Sequence, residues 1–178
     1  MSNLDTNTNL FFFTATNFKW KHLLLNDSYK QIIIDSLTFL SKAKRIEVYG
    51  FVIMPNHIHF IWQILHPHKS SNVQRDFMKY TAQQILLKLK VENTDLAEEL
   101  VVNTKDRIYQ FWERNALSVE LYTPEVIFQK LDYIHNNPCI GKWLLANEPT
   151  KYKYSSATFY ETGMDTFGVL KNISKVTY

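Results

Sequence analysis

The stretch RIEVYGFVIMPNHIHFIWQIL, residues Arg45–Leu65, contains two apolar segments with a turn sequence between them. Arg45–Ile53 and His57–Leu65 are rich in the β-branched and aromatic side chains that suit a pleated sheet. The proline and asparagine of Met54-Pro55-Asn56 are typical of a turn. The stretch therefore predicts a β-hairpin, and the other elements can be placed around it.

The second strand of this hairpin has two different faces, because successive side chains of a strand point to opposite sides. One face is entirely apolar and is predicted to lie in the core: Ile58, Phe60, Trp62 and Ile64. The other face is predicted to form a different surface, and it carries His57, His59, Ile61 and Gln63. The two histidines therefore share one side of the sheet.

Further elements are predicted on both sides of the hairpin. Leu10–Thr16, dense in Phe and Thr, predicts a strand. Asn26–Ser28 supplies N-cap candidates for a helix that runs to about Lys44. Ser70–Lys90 has apolar residues at helical spacing and basic residues on its other faces, which predicts an amphipathic helix.

The pattern is less regular after this helix. Val91–Thr104 is acidic and predicts a loop or a helix end, whereas Arg107–Trp112 predicts a fourth strand. Thr123 as N-cap and Pro124 at the first helical position predict a third helix, which Pro138 must close.

The order of these elements predicts an α+β fold. It is a ferredoxin-like antiparallel sheet with helices packed on one face, plus a helix towards the C-terminus. A chain of 178 residues is expected to form one domain. Residues 1–178 are therefore taken as a single domain, and residues 139–178, where the signals are mixed, as a C-terminal extension of it.

Composition excludes several classes of protein. The 46% of hydrophobic residues rules out disorder over most of the length. No apolar run approaches the ~20 residues that span a bilayer, and the polar segment Met1–Asn9 lacks the pattern of a secretory signal. The single Cys139 cannot form an internal disulfide, so we expect a cytoplasmic protein without a membrane partner. The net charge of +3 permits a nucleic-acid partner without requiring one.

Two pairs of residues suggest chemistry. His57 and His59 lie about 7 Å apart along their strand, close enough to share one metal ion. Tyr133 and Asn137 are four residues apart and share one face of the third helix. Two imidazoles and an amide oxygen would suit Mg²⁺ or Mn²⁺ on a phosphate that the tyrosine attacks. A structural interpretation stays open, in which the histidines are hydrogen-bonded, Tyr133 packs and Asn137 ends the helix.

The motifs themselves resemble a known family. GFVIMPNHIHF at Gly50–Phe60 and YIHNNP at Tyr133–Pro138 together resemble the single-tyrosine HUH transposases, above all the REP-associated tyrosine transposases. The similarity begins at the first strand and continues through Phe111–Glu113 to Tyr154–Ser156. The resemblance implies a metal-dependent single-stranded DNA endonuclease and strand transferase that acts beside hairpins through a 5′-phosphotyrosine intermediate.

The resemblance also implies a role for each residue. His57 and His59 match the metal-binding pair and Tyr133 the nucleophile, with Mg²⁺ or Mn²⁺ as the expected cofactor. Asn137 falls where the family has a polar third ligand, often a glutamine that is one methylene longer. The implied partner is single-stranded DNA with hairpins. Monomer and homodimer both stay open, since an exposed edge strand would allow a dimer.

Binding a single DNA strand needs stacking surfaces and positive charge. The candidate contacts are basic and aromatic residues of the second helix and of a C-terminal run: Arg75, Lys79, Lys88, Lys151, Tyr152, Lys153 and Tyr154.

Three alternative functions remain compatible with the sequence. The first is a catalytically idle protein that binds DNA hairpins. The second is a metal-dependent hydrolase of a non-nucleic substrate, which needs a carboxylate base near the histidines, with Glu47 on the neighbouring strand as the nearest candidate. The third is a protein-interaction module that uses the aromatic surface, for which Tyr133 would be dispensable.

Overall fold

A four-stranded antiparallel sheet lies at the centre of the computed structural model, which describes residues 8–176. The strands of the chain are β1 (Leu10–Thr16), β2 (Ile46–Ile53), β3 (His57–Ile64), β4 (Val101–Thr104), β5 (Arg107–Tyr109) and β6 (Leu117–Glu120). The central sheet has the order β2-β3-β1-β6, and its neighbouring strands are antiparallel. The predicted ferredoxin-like sheet is therefore confirmed. The segment Met1–Asn9, for which the sequence predicted no secretory signal, lies almost wholly outside the described residues.

The helices are α1 (Asp27–Lys42), α2 (Ser70–Glu92), α3 (Thr94–Glu98), α4 (Pro124–Asn136) and α5 (Ala157–Thr162). Two of the predicted N-caps are present. Asn26 accepts a hydrogen bond from the backbone N–H of Ser28, and Thr123 accepts one from Val126. None of the helices within residues 8–176 combines the length and the apolar character that crossing a membrane requires.

Each face of the sheet has its own hydrophobic core. Ile58, Phe60 and Trp62 pack with α1 and α2 on one face, as predicted. The prediction of a separate surface on the other face needs correction, because α4 covers it. The apolar side of α4 packs there against Ile61, which is fully buried, and against Val52. The histidine face is therefore a second core that is open only at its edge.

Two predictions for the segment after α2 need correction. Val91–Thr104 begins with the end of α2, one of the two predicted alternatives, but it also contains α3 and β4. The fourth strand of the central sheet is β6. Arg107–Tyr109 instead forms β5, which pairs with β4 in a separate two-stranded sheet. The rest of the predicted strand, Gln110–Trp112, leads from β5 back towards β1, where Asn17 pairs with Trp112.

The C-terminal segment packs along β2. The backbone N–H of Ile53 donates to the carbonyl of Tyr154, and that of Ser156 donates to Phe51. Further along, Val169 is buried in the first core and Ile173 in the second. Residues 139–176 therefore contribute side chains to both cores.

Gly50 allows α4 to lie close against β2. A Cβ at this position would be 2.8 Å from Leu131 Cδ1 and 3.0 Å from Ile134 Cδ1, two buried side chains of α4. We expect Gly50→Ala to lower the free energy of unfolding by about 1–3 kcal/mol through overpacking, and Gly50→Val to lower it further. Urea unfolding of both variants measures the effect. An unchanged free energy of unfolding in both variants would mean that α4 does not pack closely against Gly50.

Candidate active site

His57 and His59 lie at the start of β3, directly after the hairpin turn. Their ring centroids are 4.8 Å apart. His59 is only 6% exposed, and its ring stacks on Phe12 of β1 with 5.3 Å between the centroids. The alternation of β3 thus brings both imidazoles together on the face that α4 covers.

A chain of hydrogen bonds fixes the orientation of His57. The side-chain amide of Asn56 donates to the carbonyl of Trp20 at 3.2 Å, which leaves its oxygen 2.7 Å from His57 Nδ1. Nδ1 therefore carries the proton and donates to Asn56, so the lone pair is on Nε2. That atom lies 3.2 Å from the amide oxygen of Asn137. Two atoms with free lone pairs, one from β3 and one from the end of α4, converge where a cation would be held.

His59 is held in a similar way from the neighbouring strand. Thr14 faces His59 in the β1–β3 register, and its hydroxyl oxygen is 2.7 Å from Nδ1 of the imidazole. When Nδ1 donates to this oxygen, Nε2 is the atom left for a ligand. Both histidines thus have a partner that orients the ring, which is the usual arrangement for metal-ligating histidines.

Burial keeps both imidazoles neutral at neutral pH. It lowers the pKa of His57 to about 4. The amide oxygen of Asn137, which would accept a hydrogen bond from a protonated Nε2, raises this pKa, and the nearby ammonium of Lys142 lowers it. The pKa of His59 is lowered to about 3, mainly by burial and then by His57 and Lys130. Only the neutral form of histidine binds a metal. The site is therefore in its ligand form throughout the physiological range.

Tyr133 of α4 lies beside the histidines. Its ring centroid is 5.3 Å from that of His59 and 6.2 Å from that of Phe12, in edge-to-face contacts. The side chain is 45% exposed, so the ring is packed while a large part of the residue remains open to a ligand. Lys130, one turn earlier, places its ammonium 4.9 Å from the centroid of Phe12 and 6.0 Å from that of Tyr133. The tyrosine is therefore next to a positive charge that favours an anionic ligand.

Asn137 forms the C-cap of α4 and is 6% exposed. Its backbone is helical, with φ −51° and ψ −43°, although a residue before proline usually avoids this region. This conformation keeps Asn137 on the helix face of Tyr133, four residues earlier, and turns its amide towards His57.

The donor set fits a divalent cation. Within residues 8–176, no cluster of three or more histidine, cysteine, aspartate or glutamate side chains could hold a metal ion. The third protein ligand here would be the neutral amide oxygen of Asn137, beside His57 and His59. Two imidazoles and one amide oxygen leave positions open for phosphate oxygens and water, as Mn²⁺ and Mg²⁺ require.

His135 anchors α4 to the sheet. Its Nε2 is 2.8 Å from the hydroxyl of Ser156, and this hydroxyl accepts the backbone N–H of Phe51 at 3.0 Å. Burial lowers the pKa of His135 to about 4. The contact ties the turn of α4 that carries Tyr133 to β2, so His135 supports the position of the tyrosine from the opposite side of the helix.

The three buried histidines make stability depend on pH. An unfolded histidine titrates near pH 6.5, whereas His57, His59 and His135 titrate at pH 4 or below when folded. The unfolded chain therefore binds more protons than the folded chain between these pH values. The contribution of the three histidines to stability is fully present above pH 6.5 and is lost as the pH falls towards 4. We expect a loss on the order of 3 kcal/mol for each histidine over that interval.

Urea unfolding of the metal-free protein from pH 7.5 to 4.5 measures this dependence. His135→Gln should show a shallower decline, because one of the three groups is removed. A urea midpoint that stays constant between pH 7.5 and 5 would contradict the prediction.

The predicted DNA contacts on α2 lie away from this site. Arg75, Lys79 and Lys88 belong to the helix on the other face of the sheet. Arg75 forms an ion pair with Asp76, and the ammonium of Lys88 lies 3.8 Å from Glu92. The structure therefore does not bring these residues to the histidines, and a DNA strand would have to reach them around the edge of the sheet.

The C-terminal run is only partly available to DNA. Tyr154 is 3% exposed, and Tyr152 is partly buried and donates its hydroxyl to the carbonyl of Ile53 at 2.8 Å. Lys151 and Lys153 are exposed, with Lys153 3.7 Å from Asp27. The two tyrosine rings serve packing against β2, which leaves the two lysines as the part of the run that DNA can contact.

Lys130 and Trp143 were not predicted as parts of the site. The i to i+3 spacing of Lys130 and Tyr133 was a usable signal, since such residues are neighbours on a helix. Trp143 follows the end of α4, and its ring lies 5.6 Å from that of His57. No spacing rule connects Trp143 to His57, which lies 86 residues earlier, so only the fold reveals this contact.

Comparison with known proteins adds evidence on the fold. No model of a protein family matches the sequence, and no curated protein matches it either. The chain is similar to the solved structure of a REP-associated tyrosine transposase bound to a REP hairpin, with a TM-score of 0.64 and 16% sequence identity. The match covers 97% of this chain and 93% of the transposase chain. A candidate transposase from Deinococcus radiodurans R1 matches 71% of this chain and 88% of its own, with a TM-score of 0.46 and 14% identity. The chain has the fold of the REP-associated tyrosine transposase, the branch that its motifs resemble.

Proposed function

We propose that the chain is a metal-dependent nicking and joining enzyme for single-stranded DNA, a single-tyrosine HUH transposase that acts next to DNA hairpins. One observation carries the proposal. His57 and His59 from β3 meet Tyr133 and Asn137 from α4, which are far away in sequence, at one partly open site. The transposase with the same fold is bound to a REP hairpin, and we extend this class of ligand to the present chain.

His57, His59 and Asn137 are the residues that would hold Mg²⁺ or Mn²⁺. When bound, the ion would polarise the scissile phosphate and neutralise the charge that develops on it. Asn56 and Thr14 keep the two imidazoles in the orientation that binding needs. The Asn137 amide is set by the end of α4, so its position is linked to that of Tyr133 on the same helix.

Tyr133 is the proposed nucleophile. Its phenolic oxygen would attack the phosphorus in line, so that a tyrosine–phosphate bond forms as the bond to the 3′ oxygen breaks. The tyrosine loses its proton and the departing 3′ oxygen gains one, which leaves a free 3′ hydroxyl and a 5′-phosphotyrosine. The ammonium of Lys130 beside the ring favours the phosphate at this place. Attack of another 3′ hydroxyl on the phosphotyrosine reverses these bonds and joins the strands without a nucleotide cofactor.

The position of Glu47 argues against a hydrolase that uses this residue as base. Glu47 faces Gln63 in the β2–β3 register, four residues along the strand from His59, or roughly 13 Å away. Its carboxylate accepts the hydroxyl of Tyr49 and pairs with Lys171. It therefore has other partners at the far end of the strand, whereas Tyr133 lies next to the histidines.

A homodimer is a further part of the proposal. β6 is the last strand in the order of the sheet, and Leu117 and Val119 are 55% and 43% exposed. Such an edge could pair with a second copy of the chain. Light scattering of the protein without DNA measures the mass, and a single-chain mass at all concentrations would reject this part.

The test uses labelled single-stranded DNA that carries the hairpins flanking the protein's own gene. We expect a band of covalently linked protein and DNA on a denaturing gel with Mg²⁺ or Mn²⁺, and none with a chelator. A DNA of the same composition with the hairpins scrambled is the control. Hairpin binding without an adduct under any metal condition would favour the idle binder instead.

A further inference from the structure

A second cavity adjoins the candidate active site. It has a volume of about 270 Å³ and is lined by His22, Leu25, Pro55, Lys142, Trp143 and Leu145. The Trp143 ring connects it to the site, since its centroid is 5.6 Å from that of His57 and 5.6 Å from that of His22. Neither the proposed metal site nor the proposed nucleophile uses this cavity.

The walls of the cavity are chemically suited to a flat ring. Leu25 and Leu145 are 63% and 42% exposed, so they offer apolar surface that a ligand would remove from water. Two aromatic rings, His22 and Trp143, provide stacking surfaces. The volume is slightly below the ~300 Å³ at which pockets for drug-sized ligands begin, which suits a single ring system rather than a large ligand.

Lys142 places a positive charge at this cavity. The ammonium of Lys142 lies 5.3 Å from the centroid of the Trp143 ring, and its charge also reaches His57. A flat ring that carries a negative group next to it matches this combination. A nucleotide is such a ligand, because its base stacks on aromatic side chains while its phosphate pairs with a cation.

The backbone holds the cavity in a fixed relation to Asn137. The segment after α4 turns back on itself, with the N–H of Trp143 donating to Ile140 at 3.3 Å and that of Leu145 donating to Pro138 at 2.7 Å. Trp143 is therefore part of a closed turn that begins at Pro138, directly after Asn137. A strand held at the metal site would meet this cavity within one nucleotide.

We propose that this cavity binds the base of the nucleotide next to the scissile phosphate, stacked on Trp143 with a flanking phosphate on Lys142. This inference rests on the proposed function and adds a base-binding subsite to it. Stacking of one base on an aromatic side chain corresponds to about 5- to 150-fold in affinity.

The experiment is an abasic scan combined with Trp143→Ala. Hairpin DNAs that each lack one base, at successive positions on both sides of the cleavage point, are used to measure KM and kcat of adduct formation. For the unsubstituted protein we expect one position next to the cleavage point to raise KM by about 5- to 150-fold. Trp143→Ala should raise KM on intact DNA by a similar factor. In this variant, removing the base at that position should raise KM no further. Phe39→Ala, an equally aromatic and 68% exposed residue on α1, should leave KM unchanged.

A variant that folds poorly would affect every DNA alike, so the loss of sensitivity at one position identifies the subsite. Trp143→Phe keeps a ring and should give an intermediate KM. The subsite would be overturned if Trp143→Ala raised KM equally for every abasic DNA, or if no abasic position changed KM in the unsubstituted protein. The proposed function would still stand in either case, as long as the protein forms the adduct on intact DNA. Failure of the unsubstituted protein to form an adduct with any hairpin DNA would overturn both.

Discussion

Replacing Tyr133 with phenylalanine is expected to abolish the covalent protein–DNA adduct while folding and hairpin binding persist. The change removes only the phenolic oxygen, which is the proposed nucleophile. The ring would remain in contact with His59 and Phe12. Because the residue is 45% exposed, we expect the free energy of unfolding to change by less than about 0.5 kcal/mol.

A denaturing gel with labelled hairpin DNA measures this loss, and a gel-shift experiment under native conditions measures binding. Tyr122→Phe is the matched control, since Tyr122 is also exposed and its hydroxyl hydrogen-bonds Glu120 away from the site. It should form the adduct at the unsubstituted rate. An adduct of normal yield with Tyr133→Phe would move the nucleophile to another residue.

The second large effect is expected from the histidines. His57→Ala and His59→Ala should each slow metal-dependent adduct formation by more than about 100-fold, because each removes a proposed ligand. Even the loss of a group that only orients a ligand costs about 10- to 100-fold at metal sites. Hairpin binding should persist, since neither residue is needed for contacts outside the site. Mn²⁺ titration calorimetry should show a clear loss of affinity in both variants.

The other His-x-His pair of the chain provides the control. His66 and His68 are exposed residues of the loop between β3 and α2, and their double replacement by alanine should leave Mn²⁺ binding and adduct formation unchanged. Unfolding curves of His57→Ala and His59→Ala separate loss of metal from loss of structure. Unchanged Mn²⁺ affinity in both folded variants would refute the assignment of the ligands.

The fold could be predicted well where one segment carried its own signals. β1, the β2–β3 hairpin and α2 follow from local propensity and periodicity, and α4 follows from its capping residue Thr123. The fourth strand could not be predicted, because Arg107–Trp112 has the more aromatic sequence while Leu117–Glu120 is the segment that pairs with β1. Local propensity does not specify a pairing partner, and β6 lies at an edge where two of its apolar side chains stay exposed.

The candidate site could also be predicted only in part. His57 and His59 share a strand, and Tyr133 and Asn137 share a helix face, so each pair could be identified from spacing. That the two pairs meet depends on α4 packing on the histidine face, which the sequence pattern assigned to a separate surface. Trp143 was not predicted because its contact with His57 is set by the turn after α4.

The most direct test of the account is the mass of the DNA-linked peptide. The covalent adduct is digested with nuclease and trypsin, which cuts after Lys130 and Lys142 and releases residues 131–142, a peptide whose single tyrosine is Tyr133. The account predicts that this peptide carries a nucleotide 5′-phosphate on Tyr133 and that the modification requires Mg²⁺ or Mn²⁺. A nucleotide on another peptide, or DNA cut with a free 5′-phosphate and no modified peptide, would contradict it.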